Sequence, residues 1–291
     1  ELYHTWNIKA IRPQEMLPYD FTKENYSHMG YVAEGVTTYM GDRVLYECGV
    51  FGENQYFKEF ETYLTRHFHN DGRKHMSVAN SSWDTWLDGY VQGIPGRKTS
   101  IYTEGALIAY ICDIRIRKST NNEASLHDVM CELYKTTNTE KGYTEKDYKG
   151  LLEKVSGESF EDIFKKLLHG TEDFTPFILE ALAYENWRFE EKPSTKEHEN
   201  FGIKGIWKNG GFYITNILEG STAEKSELIP SDTIHSINGI RLNNDLSDWL
   251  IYFQEDSINL SIEREKKLKK IDLLPNNGKG YGIFKLSNKS N

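Results

Sequence analysis

The chain is 291 residues long and carries a formal net charge of -9, with 35 Lys and Arg against 44 Asp and Glu. That length suits one large or two medium domains with ample material for a core. An acidic chain of mixed-sign charge lacks the basic footprint that phosphate backbones demand, so nucleic acid is excluded as a partner, and no apolar run is long enough to be a transmembrane segment.

The first four residues, Glu1-Leu2-Tyr3-His4, are the tail of a His-Glu-x-x-His motif whose leading His lies outside the sequence. In that motif residues four apart share a helix face, so two imidazoles converge on one Zn²⁺ while the Glu is aimed at the attacking water. Glu1 is then the candidate general base and His4 the second metal ligand. Within Tyr31-Val32-Ala33-Glu34-Gly35, Glu34 is the candidate third ligand, which leaves one position open for water or substrate.

Apolar residues recur at helical spacing over 36–48 and 55–68. His67-x-His69 with His75 is a candidate metal cluster, although no carboxylate or Cys completes a regular spacing, and a surface turn is the competing reading. The run Ala106, Leu107, Ile108, Ala109, Ile111, Ile114 predicts a buried helix over 105–117, with Tyr102 at its start as an aromatic of the core. Ser125 caps a helix over 126–135, Thr144 caps one over 144–155 stopped by Gly157, and Ser159 caps one over 160–168 closed by Gly170. Residues 190–200 are charged, lack apolar periodicity and read as a linker. Short strands follow over 201–203, 210–217, 232–239 and 258–264, with a helix at 246–254, and the charged run 263–270 marks an exposed hairpin turn.

Cys48, Cys112 and Cys131 are odd in number and form no Cys-x-x-Cys, so the chain reads as holding three buried thiols and no disulfide framework. Neither a phosphate-binding glycine loop nor a Ser-centred nucleophile elbow is present.

Three segments carry a family resemblance. They are Trp6-Asn7-Ile8-Lys9-Ala10-Ile11-Arg12-Pro13, Leu17-Pro18-Tyr19-Asp20-Phe21, and Ala33-Glu34-Gly35-Val36-Thr37-Thr38-Tyr39-Met40-Gly41-Asp42. Together they resemble the glycyl aminopeptidase family of zinc metallopeptidases, a branch of the gluzincins. The likeness continues through Ser100-Ile101-Tyr102-Thr103-Glu104-Gly105-Ala106-Leu107, Ser125-Leu126-His127-Asp128-Val129-Met130 and Gly142-Tyr143-Thr144-Glu145-Lys146-Asp147. The resemblance implies Zn²⁺ held by the missing His, His4 and Glu34, with Glu1 as base. It implies Tyr102 as donor to the tetrahedral oxyanion, and release of N-terminal Gly or Ala from peptide or protein substrates. The chain departs from the family at Ala10 (usually Arg), Met29-Gly30 (Leu-Trp), Ile101 (Tyr) and Glu104 (Lys), and the last two put the second half of the site in question.

Residues 201–287 resemble a bacterial-type PDZ domain. The matching segments are Gly220-Ser221-Thr222-Ala223, Asp232-Thr233-Ile234 and Ile237-Asn238-Gly239, with Thr222 in place of the family's Pro and Ser231 in place of its Gly. PDZ domains add a peptide to a sheet edge and hold its C-terminal carboxylate on loop N–H groups. Phe201, Gly202 and Ile203 match that loop. The expected fold is therefore multi-domain: a mainly α-helical gluzincin catalytic portion over 1–189, a linker over 190–200 and a small mixed β/α PDZ-like domain over 201–287. The compartment is left open between cytoplasm and periplasm for a protein read as soluble. A second functional reading stands beside the peptidase. In it the chain is a catalytically inactive fragment or pseudo-enzyme that binds peptides through its PDZ domain, because the loss of one of three ligands weakens zinc binding.

Overall fold

The computed structural model describes residues 1–88, 94, 96–138 and 140–289. The chain forms two compact units, one of Glu1–Phe189 with Leu286–Asn291 and one of Glu190–Lys285.

The first unit is helical. Its longer helices are α1 (Thr37–Glu47), α2 (Glu53–Phe68), α3 (Thr103–Ser119), α4 (Leu126–Thr136), α5 (Glu145–Ser156) and α6 (Thr175–Tyr184). Helix α3 is apolar on nearly every side, and thirteen of its seventeen residues are buried. A helix of that kind must be enclosed by others, and α1, α2, α4, α5 and α6 all pack on it. Capping boxes at Ser125/Asp128 and Thr144/Asp147 start α4 and α5, and α5 stops at Gly157 in the left-handed conformation, φ 73°. The predicted helix over 160–168 is instead one α-turn, Glu161–Ile163, that widens into π-helical Phe164–Leu168.

Two features of this unit position the site. Helix α1 is preceded without a break by a π-helical segment, Tyr31–Val36, which carries Glu34. That segment crosses the first turn of α3 at two glycines. A Cβ placed on Gly35 would lie 2.4 Å from the Cα of Gly105, and one placed on Gly105 would lie 2.8 Å from the Cα of Gly35. Only glycine lets the two backbones approach this closely, and the crossing brings Glu34 and Tyr102 to one side of the unit. Asp113 then ties three helices together. Its carboxylate accepts from Tyr39 Oη at 2.6 Å, Arg117 Nε at 2.8 Å and the Leu126 backbone N–H at 2.7 Å, so this buried charge is fully partnered.

Residues 190–200 are more than a connection. Strand β1 (Trp187–Lys192) runs through the start of the segment and a short helix, Glu197–Asn200, closes it. The segment holds itself with polar bonds: Ser194 Oγ donates to Glu199 at 2.5 Å, and Asn200 Nδ2 donates to Ser194 O at 3.1 Å and to Glu197 at 2.8 Å. Order made this way leaves no apolar period to read.

The second unit is an antiparallel sheet. Its strands are β2 (Ile203–Lys208), β3 (Gly211–Ile217), β4 (Thr233–Ile237), β5 (Ile240–Arg241), β6 (Ile258–Arg264) and β7 (Lys267–Leu273). The order is β2-β3-β4-β6-β7, with β5 paired to β4. Helices α7 (Thr222–Lys225) and α8 (Leu246–Tyr252) accompany it. The core is built on Ile203, Ile214, Ile234, Leu250, Leu260 and Ile262. Asn209-Gly210 joins β2 to β3 with φ of 52° and 76°, a two-residue turn whose twist matches that of the strands. Glu265-Lys266 makes the β6–β7 hairpin within the charged run. Strand β8 (Ile283–Asn288) completes the chain and pairs with β1.

Candidate active site

Residues Leu2–Thr5 form a single 3₁₀ turn begun by Glu1. The His4 ring sits in a defined pose. Its Nδ1 lies 3.2 Å from the carbonyl oxygen of Asn7, and its Nε2 lies 3.3 Å from Glu34 Oε2. A carbonyl can only accept, so Nδ1 carries a proton and Nε2 is the ring nitrogen that faces the carboxylate. Either a proton on Nε2 or a metal cation between the two groups satisfies the carboxylate there. Burial raises the Glu34 carboxyl above its ordinary range; the His4 ring opposes that rise and the Glu1 carboxylate adds to it. A cation at this point would relieve the burial penalty.

The donor set fits zinc. Imidazole nitrogen and carboxylate oxygen are both zinc donors, and a tetrahedron with bonds of ~2.0–2.1 Å has an edge of ~3.3–3.4 Å, which the 3.3 Å separation matches. The Nδ1–carbonyl bond is the outer-shell partner that fixes a ligating imidazole. His4 and Glu34 are two donors, and among the described residues no group of three His, Cys, Asp or Glu is arranged to hold a metal.

Glu1, His4, Glu34 and Tyr102 line one cavity of about 850 Å³, whose other walls include Met40 and Met130. The sequence pattern alone placed Tyr102 in the core. In the structure it stands at the head of α3, 38% exposed, and lines the cavity. Cys131 lines the same cavity, its Sγ 3.4 Å from His127 Nε2. The three cysteines are not alike: Cys112 is buried, with its thiol pushed up to about 12 by burial, Cys131 is half-buried and Cys48 is exposed.

The cluster of His67, His69 and His75 does not assemble. His67 lies on the inner face of α2, fully buried, and its Nδ1 meets Glu104 Oε2 at 2.6 Å, while His75 is exposed. His67 belongs to α2, whereas His75 follows the separate 3₁₀ turn Asp71–Lys74. The same contact explains Glu104, which stands where the resembled family has Lys: it serves a core imidazole. The departures at Gly30 and Ile101 also belong together, since a Cβ on Gly30 would meet Ile101 Cδ1 at 3.0 Å.

In the second unit Phe201, Gly202 and Ile203 lead into β2 and are buried. Gly202 has φ 83°, and a Cβ there would lie 2.2 Å from that of Ser221, so the position demands glycine. The Phe201 and Gly202 N–H groups donate to the carbonyls of Glu197 and Glu199 at 3.2 and 2.9 Å. Both donors are thus engaged within the loop's own helical turn.

Comparison with known proteins agrees with the first unit's motifs. Residues 1–108 match the family model of M61 glycyl aminopeptidase. The match covers the first 108 of the chain's 291 residues. A crystal structure of an aminopeptidase N family protein from Idiomarina loihiensis shares the fold, with a TM-score of 0.89 at 24% identity over 99% of this chain. The chain spans 51% of that protein's length. No curated protein matches the chain. Among the described residues no helix is long and apolar enough to cross a membrane.

Proposed function

We propose that the first unit is the catalytic part of a zinc metallopeptidase that releases small N-terminal residues, glycine or alanine, from peptides. The observation that carries this reading is the convergence of His4 Nε2 and Glu34 Oε2 at 3.3 Å, in a cavity that also holds Glu1 and Tyr102; both ligands and Tyr102 lie within the residues that match the M61 glycyl aminopeptidase model. Zinc, when bound, supplies a Lewis acid for the scissile carbonyl and lowers the pKa of the attacking water. The chain's own residues do the rest. With its Nδ1–H engaged by Asn7 O, the neutral His4 ring has its Nε2 lone pair to offer a metal. Glu34 supplies compensating negative charge. Glu1 takes the proton of the attacking water and passes it to the leaving amine. The Tyr102 phenol donates to the carbonyl oxygen as it gains charge. The His that precedes Glu1 in the motif completes the ligand set.

The test is hydrolysis of glycyl and alanyl anilides by the chain carrying a His immediately before Glu1. Tyr102→Phe is expected to lower kcat roughly 10²–10³-fold, as loss of an oxyanion donor does, with zinc content unchanged. Hydrolysis that survives Glu34→Gln would remove the basis of the reading.

A second reading, a peptide-binding module of PDZ type, draws on the place of β2 at one end of the sheet order, where an extended peptide can add. The engaged N–H groups of Phe201 and Gly202 count against capture of a terminal carboxylate at that loop. The peptidase reading is preferred.

A further inference from the structure

We infer that Asn7 sets the spacing and the tautomer of the His4–Glu34 pair and is the positioning residue of the site; its functional consequence rests on the metallopeptidase reading. Asn7 is fully buried, 0% exposed. Its backbone carbonyl takes the Nδ1–H of His4 at 3.2 Å. Its side-chain Nδ2 donates to Val32 O at 2.8 Å and Thr37 Oγ1 at 3.0 Å, with Ala33 O at 3.3 Å. Its Oδ1 accepts from Tyr143 Oη at 3.2 Å. One residue therefore orients one ligand through its main chain and holds the backbone beneath the other through its side chain.

Both partners of this clamp are built irregularly. Val32 and Ala33 belong to the π-helical segment Tyr31–Val36 that carries Glu34. A π turn departs from the i→i−4 ladder, and such turns gather at functional sites; here Asn7 adds a donor to the carbonyls of Val32 and Ala33. On the other side, Ile8 adopts φ 102° and its N–H donates to Ile11 O at 2.7 Å. A β-branched residue at positive φ is strained by about 1–3 kcal/mol and persists only where its surroundings impose it. The reversal at Ile8 directly follows Asn7, whose side chain is turned inward. Asparagine suits the position by its inventory: a short side chain with two N–H donors and one carbonyl acceptor. Aspartate keeps the shape, loses both donors and sets an acceptor against the carbonyls of Val32 and Ala33.

The test compares Asn7→Asp with Tyr143→Phe. Tyr143 is buried in the same cluster and bonds only the Oδ1 side of Asn7, so its loss destabilises the cluster while leaving the Nδ2 clamp in place. Two readouts on the chain are needed: the His4 tautomer, from nitrogen shifts of its ring, and the affinity for cobalt(II), from broadening of the His4 ring signals. At a pH where the ring is neutral, His4 in the unmodified chain is expected as the Nδ1–H tautomer alone. Asn7→Asp is expected to mix the tautomers and weaken cobalt binding roughly 10–100-fold, the usual cost of losing an outer-shell partner. Tyr143→Phe is expected to lower stability and leave both readouts within about twofold, since its contact to the metal site is indirect. The inference is overturned if Asn7→Asp leaves tautomer and affinity unchanged, or if the two variants shift affinity in step with the stability they lose. If no variant binds cobalt while the tautomer still responds to Asn7→Asp, the metal reading fails and the positioning role stands.

Discussion

Replacing Gly105 by alanine tests how the fold brings Glu34 and Tyr102 together. The added Cβ would lie 2.8 Å from Gly35 Cα, 3.0 Å from Tyr31 O and 3.2 Å from Tyr31 Cα. All three neighbours are backbone, so no flexible side chain can yield. Ordinary contact begins near 3.4 Å, and relief therefore requires α3 and the Tyr31–Val36 segment to part by about 0.6 Å. In the reverse substitution, Gly35→Ala, the Cβ starts 2.4 Å from Gly105 Cα and the same reasoning requires about 1 Å. Overpacking of this kind costs about 1–3 kcal/mol. The shift also falls between Glu34 and Tyr102, where a displacement near 1 Å can cost ~10²-fold in rate. Urea unfolding should show Gly35→Ala less stable than Gly105→Ala, and both less stable than the parent chain. Anilide hydrolysis by the chain with a His before Glu1 should fall further for Gly35→Ala. Parent-like stability for both variants would refute the close crossing, and full activity beside lost stability would refute its role in placing the site.

Other outcomes follow from single residues. Ser231 holds φ 81° where the resembled PDZ pattern has Gly; Ser231→Gly should raise stability by about 1 kcal/mol in urea unfolding, and a loss would mean that the serine side chain matters more than its backbone. Burial holds the His198 imidazole below its ordinary 6.5. A neutral form favoured in the folded state gives full stability above that value and loses it as pH falls from about 6.5 toward the folded pKa. His198→Gln should remove that part of the acid-side decline, and an identical pH profile in the variant would contradict the assignment. His67→Leu leaves Glu104 buried without its partner at 2.6 Å, and should destabilise the chain by about 3–5 kcal/mol; the double variant His67→Leu/Glu104→Leu should recover most of that loss, and failure to recover would show that the pair is not what burial requires there.

Much of the scaffold was legible because local chemistry wrote it. The unbroken apolar run of α3, the caps at Ser125 and Thr144 and the turn in the charged run 263–270 all depend on residues within a few positions of each other. Motif spacing points to His4 and Glu34 as a pair, and the structure brings them to 3.3 Å. Contacts across sequence were not legible. Asn7 acts on residues 25 to 30 positions away, and nothing in Trp6-Asn7-Ile8 announces which carbonyls its amide will meet. Glu104 looked like a loss of family chemistry until its partner His67 was seen 37 positions earlier. Sequence proximity sets three histidines near Asp71, but α2 ends at Phe68 and His75 follows a separate 3₁₀ turn, and the thiols cannot be told apart without knowing which face each occupies. Residues 190–200 lack the apolar periodicity that would mark an element, yet hydrogen bonds among Ser194, Glu197, Glu199 and Asn200 order them.

Zinc content per chain, measured by elemental analysis on the chain carrying a His immediately before Glu1, tests the central claim most directly. The account predicts one zinc per chain, lost in both His4→Ala and Glu34→Gln and retained in Tyr102→Phe. Zinc that stays when His4 or Glu34 is replaced, or a chain that takes up none from excess metal, would contradict it.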